Sequence, residues 1–543
     1  MKGGSAMADK DKIVLDGHSL TVEQVVRVSR GENGKGFPEV VLHEDAVSKL
    51  KEIRKDIEAL IPDKVMYGIN TGCGANKNSI ICDEDLQSYN RKFILSHAIG
   101  AGEPLPKEIV RAMMLLRVNS FAAGHSGVRL RLCEMLLELL NNDIVPVIPS
   151  RGSVGASGDL IPLAYIGLVL MGQEDAEVFY QGKVRNARDV LTENNIPQLR
   201  FQAKESMSLT NGTTMMLAFA TLELFDAYDL IQVADLAAAL SLEALRGEKD
   251  AFDPRIQEVR PHPGQIAVAE HIRKLIAGSA RTTHKAQQVA LHDDFEKKFK
   301  HPRIQDPYSF RCVPQVHGSA LDELDSIKKI IECELNSVTD NPVVFKDDQG
   351  RIDVLLGGNF HGMYLAHRLD YLAIAIHSLA NMSERRIFRL INRDLSYGLP
   401  ANLSGSMEPN NTGLMLEQYL AAALVSENKI LCHPASVDSI PTSGMQEDFV
   451  SMGSVAAFKA GQVIGMVRKV LSIEIHVACQ GISVSEPYLG TENSKLGAGT
   501  QKVFDLVRSV VSMIKEDRRY DMDREMIEAL IKNRNFIKLF ETT

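Results

Sequence analysis

The 543-residue chain has few of the features that mark several large classes of protein. Its seven cysteines are odd in number, lie far apart and include no Cys-x-x-Cys pair. This argues against a disulfide framework and against a zinc site, and we expect a reducing compartment. No uncharged apolar run reaches the roughly 18 residues of a transmembrane helix, and residues 1–12 are polar, unlike a signal peptide. We therefore expect a soluble, cytoplasmic protein that does not enter a membrane.

The chain also lacks an excess of basic residues. Lys and Arg number 61 against 70 Asp and Glu, for a net charge of -9, and the basic residues are scattered. Proteins that bind nucleic acids usually cluster their basic residues on one face, so we expect no nucleic acid partner. Hydrophobic residues make up 45% of the chain and charged residues 24%. This balance excludes a disordered or fibrous protein and is sufficient for a large core.

Beyond Pro197, Gly and Pro are rare in several long stretches of the chain. The range 214–246 contains 33 residues without Gly or Pro, whereas an average helix has roughly 11–12 residues. Helices of this length need partners along their whole extent, which predicts a mainly α fold with a central bundle of long, near-parallel helices. Comparable stretches are 322–335, 363–392, 414–430 and 450–480, the last interrupted only by Gly453, Gly461 and Gly465. We expect an N-terminal domain with two special loops at 1–205, the long-helix bundle at 206–490 and terminal helices at 491–543.

One of the special loops, residues 151–159, contains the sequence Ala156-Ser157-Gly158. This Ala-Ser-Gly loop consists mostly of small residues, so it is neither an amphipathic helix nor a strand. Because Gly158 has no Cβ, its nitrogen can approach the Ala156 carbonyl and close a five-membered ring. Dehydration and loss of the Ser157 hydroxyl then leave a methylidene group conjugated to an imidazolone. Such a group is an electrophile that no ordinary side chain provides.

The longer string Gly-Ser-Val-Gly-Ala-Ser-Gly-Asp-Leu-x-Pro-Leu resembles the signature of the aromatic amino acid ammonia-lyase and aminomutase family. The family's cofactor, 4-methylidene-imidazol-5-one (MIO), forms in this way from the chain itself. The resemblance implies that Ala156, Ser157 and Gly158 form the MIO, with no metal and no dissociable cofactor. It also implies the long-helix fold, a small amino acid substrate and a homotetramer whose active sites draw on more than one subunit.

Further motifs resemble other active-site segments of the family. Tyr67 opens Tyr-Gly-Ile-Asn-Thr-Gly-Cys-Gly, which we name the lid loop (67–74); its tyrosine is implied to remove the β-proton, and Cys73 stands where the family usually has an aromatic residue. Asn211 in Asn-Gly-Thr is implied to lie beside the MIO carbonyl. The other implied substrate-site residues are His97 and Met415 at the substrate ring, Gln305 at the amine, Tyr308, Arg311 and Asn341 at the carboxylate, and Phe360 against the MIO.

The tyrosine needs help to act as a base, because a phenol has a pKa of about 10. Helix N-termini clustered beside the MIO would favour the phenolate. We therefore expect the surroundings of Tyr67 to lower its pKa.

The substrate is indicated by Gln446-Glu447-Asp448, because histidine ammonia-lyases carry Gln-Glu-Asp there and the enzymes for phenylalanine and tyrosine tend to carry Asn-Gln-Asp. An imidazole can hydrogen-bond both Glu447 and His97, whereas a phenyl ring leaves the acid unpaired, at about 1–3 kcal/mol. We expect histidine as substrate, with trans-urocanate and ammonia as products. A tyrosine or phenylalanine ammonia-lyase, a 2,3-aminomutase and a non-catalytic helical assembly without MIO are the alternatives.

Overall fold

A computed structural model of the chain describes residues 12–31, 36–291, 304–405 and 411–541. The chain forms two compact units, each assembled from three separate segments. The first unit comprises Met1–Phe225, Lys328–Asp370 and Pro434–Phe458, and the second comprises Asp226–Ile327, Tyr371–His433 and Lys459–Thr543. The domain boundaries expected at residues 205 and 490 stay a prediction.

The prediction of a mainly α fold with several very long helices is confirmed. Over the described residues the α-helices are α1 (Val22–Arg30), α2 (Glu44–Leu60), α3 (Leu86–His97), α4 (Lys107–Ala122), α5 (Leu130–Asn141), α6 (Leu160–Leu170), α7 (Ala187–Glu193), α8 (Glu205–Thr210), α9 (Thr214–Leu245), α10 (Pro254–Glu258), α11 (Pro263–Leu275), α12 (His284–Gln287), α13 (Tyr308–Arg311), α14 (Val313–Leu335), α15 (Met363–Ile391), α16 (Met415–Leu431), α17 (Gly453–Asn493), α18 (Ala498–Val510), α19 (Tyr520–Lys532) and α20 (Asn535–Glu541). In the described ranges, no helix has both the length and the apolar composition needed to cross a membrane.

The strands are short and form small sheets. Those in the described residues are β1 (Lys12–Leu15), β2 (Glu39–Leu42), β3 (Ala101–Pro104), β4 (Val145–Pro146), β5 (Pro149–Arg151), β6 (Glu177–Tyr180), β7 (Lys183–Asn186), β8 (Val343–Lys346) and β9 (Ile352–Leu355). Strand β1 pairs in parallel with β2, whereas β3 with β5, β4 with β6, β6 with β7, and β8 with β9 are antiparallel. Strands β6 and β7 form a hairpin whose turn residues, Gln181 and Gly182, both have positive φ, of 48° and 78°. Positive φ at both turn residues matches the right-handed twist of the two strands that the turn joins.

Helix α14 begins at Val313, well before the start at residue 322 that the sequence predicts. The added turns include Gly318, which the helix tolerates because a neighbouring backbone lies against it. A Cβ on Gly318 would stand 2.4 Å from the backbone nitrogen of Gln265 on α11. Close packing of the two helices therefore outweighs the low helix propensity of glycine.

Buried polar groups link three of the long helices inside the second unit. Ser241 Oγ on α9 donates to Glu474 Oε1 on α17 at 2.7 Å, and Arg386 Nη2 on α15 donates to Glu474 Oε2 at 2.8 Å. All three residues are fully buried. A buried charge pair is sensitive to geometry, because removal of one partner leaves the other uncompensated. The network therefore restricts how these helices pack.

Candidate functional site

The Ala-Ser-Gly loop adopts a backbone that only small residues accept. Ser157 has φ of 47° and Gly158 has φ of 77°, both in the left-handed region. A Cβ on Gly158 would lie 1.9 Å from the carbonyl oxygen of Gly212, so no side chain fits there. The loop is also bonded to the segment before α9: Gly212 N–H donates to Ser157 O at 3.1 Å, and Asp159 N–H donates to Gly212 O at 2.7 Å. The loop is thus held on both sides of the Ser157–Gly158 peptide.

Three helices begin beside this loop, namely α6, α9 and α17. Asp159 immediately precedes α6, and its Oδ2 accepts hydrogen bonds from the N–H groups of Met215 and Met216 in the first turn of α9, at 2.8 and 3.0 Å. Met452 N–H, just before α17, donates to Val154 O at 2.9 Å. Because a helix N-terminus carries a partial positive charge, the loop lies where a developing negative charge is favoured. Burial nevertheless raises the pKa of the Asp159 carboxyl to about 6.

Asn211 and Asn341 form the wall of the site next to the loop. Asn211 Nδ2 donates to Asn341 O at 3.0 Å, and Arg117 Nη1 donates to Asn211 O at 2.6 Å. Asn341 Oδ1 accepts from Gly357 N–H at 2.8 Å. Asn211 Oδ1 is buried and has no hydrogen-bond partner among the described residues. A buried acceptor without a donor is costly, so this oxygen suits an incoming amine, and together with the glycine cradle it fits an MIO formed from Ala156–Gly158.

A single cavity of about 930 Å³ in the first unit collects most of the residues that the sequence singles out. The predicted site residues that line it are Tyr67, His97, Ala156, Ser157, Asn211, Asn341, Phe360 and Glu447. They come from the lid loop, α3, the Ala-Ser-Gly loop, the segment before α9, the turn before β8, the turn before α15 and the loop before α17. Residues almost 400 positions apart in sequence therefore share one chamber.

Glu447 is held in the chamber by two hydroxyl groups. Ser157 Oγ donates to its Oε1 at 3.0 Å, and Thr442 Oγ1 donates to its Oε2 at 2.6 Å. If an MIO forms here, the dehydration that follows ring closure would remove the Ser157 hydroxyl and release Oε1 as an acceptor. The Glu447 carboxylate therefore contacts the Ala-Ser-Gly loop directly.

His97 lies at the C-terminal end of α3 with a defined hydrogen-bonding state. Its Nδ1 donates to Phe93 O at 2.7 Å, and its ring stacks on that of Phe93 with centroids 3.9 Å apart. Burial lowers the pKa of His97, opposed by the Phe93 carbonyl and the Glu447 carboxylate. The imidazole is therefore neutral at pH 7, and with Nδ1 protonated its Nε2 is an acceptor.

Tyr67 shows one departure from expectation. Its Oη accepts a hydrogen bond from Gly74 N–H at 3.4 Å, which favours the phenolate. Burial, however, raises the pKa of the phenol, and the neighbouring Cys73 and Glu447 raise it further. The expectation that the surroundings lower this pKa is wrong for the single chain, because desolvation exceeds the contribution of one backbone donor.

Four predicted site residues lie in the second unit instead. Arg311 and Gln305 line a separate cavity of about 350 Å³. The guanidinium of Arg311 stands 4.6 Å from the ring centroid of Tyr308, whose side chain is 70% exposed. Arg311 Nε is buried with no hydrogen-bond partner among the described residues. Met415 is the half-buried first residue of α16.

Two further groups that support the site were not predicted from the sequence. Thr442, which holds Glu447, lies inside a motif that resembles the family but carries no chemical signal of its own. Tyr89 lines the same chamber as His97. Tyr89 and His97 are eight residues apart on α3, a spacing of about two helical turns, which places them on one face of the helix.

Comparisons with known proteins find similar sequences and structures over almost the whole chain. A sequence model of the family described as aromatic amino acid lyase matches residues 20–509. Histidine ammonia-lyase from Caldanaerobacter subterraneus subsp. tengcongensis is 44% identical over 515 residues, 94% of this chain and 95% of that protein. The structure of histidine ammonia-lyase from Trypanosoma cruzi has a TM-score of 0.85 at 38% identity, with 97% of this chain and 94% of that chain covered. Tyrosine aminomutase from Streptomyces globisporus has a TM-score of 0.87 at 31% identity, with 97% and 98% covered.

Proposed function

The chain belongs to the aromatic amino acid lyase family, and on that premise we propose that it eliminates ammonia from L-histidine to give trans-urocanate. The names of similar proteins support this proposal, since both the bacterial relative and the trypanosomal structure are histidine ammonia-lyases. The observation that carries it is the pair of acceptors, Glu447 and His97, in one chamber with the Ala-Ser-Gly loop.

The ring subsite discriminates by hydrogen bonding. The Glu447 carboxylate accepts only, and His97 presents Nε2 as an acceptor because its Nδ1 donates to Phe93 O. Two acceptors suit a protonated imidazole, which has two N–H donors, whereas a phenol has one donor and a phenyl ring has none. A protonated ring also withdraws electrons from the β-carbon, which makes the β-proton easier to remove. Histidine therefore satisfies this end of the chamber better than tyrosine or phenylalanine.

The proposed chemistry requires an electrophile and a base. An MIO formed from Ala156, Ser157 and Gly158 would supply an acceptor for the substrate amine and so improve ammonia as a leaving group. Asn211 Oδ1 would accept a hydrogen bond from that amine, since it is buried and without a partner among the described residues. Tyr67 would take the β-proton at its phenol oxygen. Phe360 and the other apolar walls would exclude water from the reacting atoms.

The carboxylate end is proposed to come from a second copy of the chain. Among the side chains that line the first-unit chamber there is no arginine, and Arg311 with Gln305 lines a cavity of the second unit. A guanidinium fork is the preferred partner of a carboxylate. In the proposed homotetramer, Gln305, Tyr308, Arg311 and Met415 of one subunit would complete the chamber of another. The resemblance to the family and the exposed ring of Tyr308 support this arrangement.

The test is to incubate the purified protein separately with histidine, tyrosine and phenylalanine. The ultraviolet absorbance of the acrylate product and chromatography for β-amino acids are followed in parallel. We expect urocanate from histidine, little product from the other two and no β-amino acid. Faster turnover of tyrosine or phenylalanine, or accumulation of a β-amino acid, would replace the proposal with one of the alternatives.

A further inference from the structure

Helix α3 presents an aromatic stripe to the chamber. Tyr89, Phe93 and His97 recur at intervals of four residues, which places them on one helical face, and all three line the cavity. The Tyr89 and Phe93 ring centroids are 6.1 Å apart, and those of Phe93 and His97 are 3.9 Å apart. The stripe therefore runs continuously from the histidine at the ring subsite to Tyr89, about two turns away.

Tyr89 connects this stripe to the lid loop. Its Oη and the Sγ of Cys73 are 3.2 Å apart, within hydrogen-bonding distance for sulfur. Burial raises the pKa of the Tyr89 phenol far above its usual value and raises the pKa of the Cys73 thiol to about 11. Both groups are therefore protonated at neutral pH, and the contact is a neutral hydrogen bond. Cys73 stands where the family usually has an aromatic residue, so the contact depends on this chain's own residue.

The next residue of the lid loop contacts the proposed base. Gly74 N–H donates to Tyr67 Oη at 3.4 Å. Gly74 has φ of 56°, in the left-handed region that favours glycine. One hydrogen bond, one peptide unit and a second hydrogen bond thus join Tyr89 to Tyr67.

We propose that Tyr89 is a positioning residue for Tyr67: its hydroxyl anchors Cys73, and the adjacent Gly74 N–H then holds the phenol oxygen of the base. Because Tyr89 and His97 share one helix face, α3 sets the separation between the base and the group that binds the substrate ring. The inference rests on the proposed function, in which Tyr67 removes the β-proton. The other charged or titratable groups that act on Tyr67 are Cys73, Tyr89 itself and Glu447.

The first test is Tyr89→Phe, which removes one oxygen and keeps the ring that packs on Phe93. We expect kcat to fall roughly 10-fold with a smaller change in KM, since misplacement by about 1 Å can cost up to 10²-fold. The acid limb of the pH profile should move to higher pH. Gly74 N–H stabilises the phenolate and lowers the pKa of Tyr67. When Cys73 is no longer anchored, this hydrogen bond weakens and the pKa of Tyr67 rises. If the variant merely contained less folded protein, the measured rate would fall by the same factor at every pH and the pH profile would not shift.

The matched control is Tyr180→Phe, which also removes a tyrosine hydroxyl in the first unit. Tyr180 Oη donates to Asn194 Oδ1 at 3.2 Å, and neither residue lines the chamber. It should leave kcat and the pH profile unchanged. Cys73→Ser, which keeps a hydrogen-bonding group, should retain more activity than Cys73→Ala. The double variant of Tyr89→Phe with Cys73→Ala should be no slower than the slower single variant, because both remove the same bond.

An unchanged kcat and pH profile in Tyr89→Phe, or fully additive losses in the double variant, would overturn the inference. Tyr67→Phe, assayed beside the unchanged protein, separates this failure from failure of the proposed function. If Tyr67→Phe abolishes urocanate formation while Tyr89→Phe has no effect, only the positioning role is lost. If Tyr67→Phe retains full activity, Tyr67 is not the base and the positioning role falls with that assignment, whereas only an absence of urocanate from the unchanged protein would remove the proposed function.

Discussion

The two ends of the proposed substrate site differ in how the chain supplies them. Glu447 and His97, expected at the substrate ring, line one chamber of the first unit together with the Ala-Ser-Gly loop. Arg311, expected at the carboxylate, and Gln305, expected at the amine, line a different cavity in the second unit. The first unit therefore holds the proposed cofactor loop and two of the groups proposed to bind the substrate ring, while the arginine for the substrate carboxylate is proposed to come from another copy.

The largest expected effect is loss of the electrophile. Ser157→Ala removes the hydroxyl whose elimination creates the methylidene group, so histidine turnover should fall to background. The intact mass of the unchanged protein should lie about 36 Da below the sequence mass, for two waters lost, and the variant should lose at most one water, about 18 Da. Equal mass deficits in both proteins, or an active Ser157→Ala, would contradict the cofactor assignment.

The comparison between the two ends is sharpest in a complementation experiment. Tyr67→Phe alone should lower kcat by about 10² to 10⁴-fold, as expected for removal of a general base. Arg311→Ala alone should raise KM and lower kcat/KM roughly 10- to 150-fold, the equivalent of about 1.5–3 kcal/mol for a charged hydrogen bond. The first substitution removes the proposed base, and the second removes the proposed partner of the substrate carboxylate.

Co-expression of the two variants, with separate tags to isolate mixed oligomers, distinguishes shared from single-chain sites. If one chamber takes Tyr67 from one subunit and Arg311 from another, some chambers in mixed oligomers are intact, and activity should exceed the sum of the separate variants. Mixed oligomers no more active than that sum would place both residues in the same chain's site. Mixtures of separately tagged unchanged protein control for the effect of the tags.

A smaller effect is expected at the ring subsite. Glu447→Gln keeps the size of the side chain but replaces a charged acceptor, so kcat/KM for histidine should fall by about 1–3 kcal/mol, or roughly 5- to 150-fold. The ratio of histidine to phenylalanine turnover should fall as well. Glu103→Gln, the same substitution at an exposed position on strand β3, is the control. If the rate with histidine is unchanged in Glu447→Gln, Glu447 does not bind the substrate ring.

The smallest predicted effect concerns stability and comes from Asp159. Burial raises its folded pKa to about 6 from 3.8, so its contribution to stability is fully present below the unfolded value and is lost as pH rises through about 6. A shift of this size corresponds to about 3 kcal/mol at most. Urea midpoints from pH 4 to 7 should therefore decline less steeply in Asp159→Asn than in the unchanged protein. Parallel curves would show that Asp159 does not titrate in this range.

Much of the site could be predicted because its residues lie in short motifs with unusual composition. The Ala-Ser-Gly loop and the lid loop are glycine-rich, and glycine at a position such as Gly158 reflects a backbone approach that excludes a Cβ. The long helices were also predictable, because absence of Gly and Pro is a local property. The start of α14 was missed since Gly318 is tolerated only through its contact with α11, which is distant in sequence.

Electrostatic properties were the least predictable part of the site. The raised pKa of Tyr67 arises from burial and from Glu447, 380 residues away. The neutral state of His97 depends on how deeply α3 is buried and on the Phe93 carbonyl. Burial is a property of the packed chain, and no pattern of neighbouring residues reports it.

By itself, the sequence determined which residues are chemically able to form the electrophile, which positions require glycine and which segments form long helices, because these depend on covalent structure and local propensity. Only the tertiary structure decided that the Ala-Ser-Gly loop lies at three helix N-termini, that Ser157 meets Glu447 and that Tyr89 contacts Cys73. These are contacts between distant segments, and their geometry results from how the helices pack rather than from any segment alone.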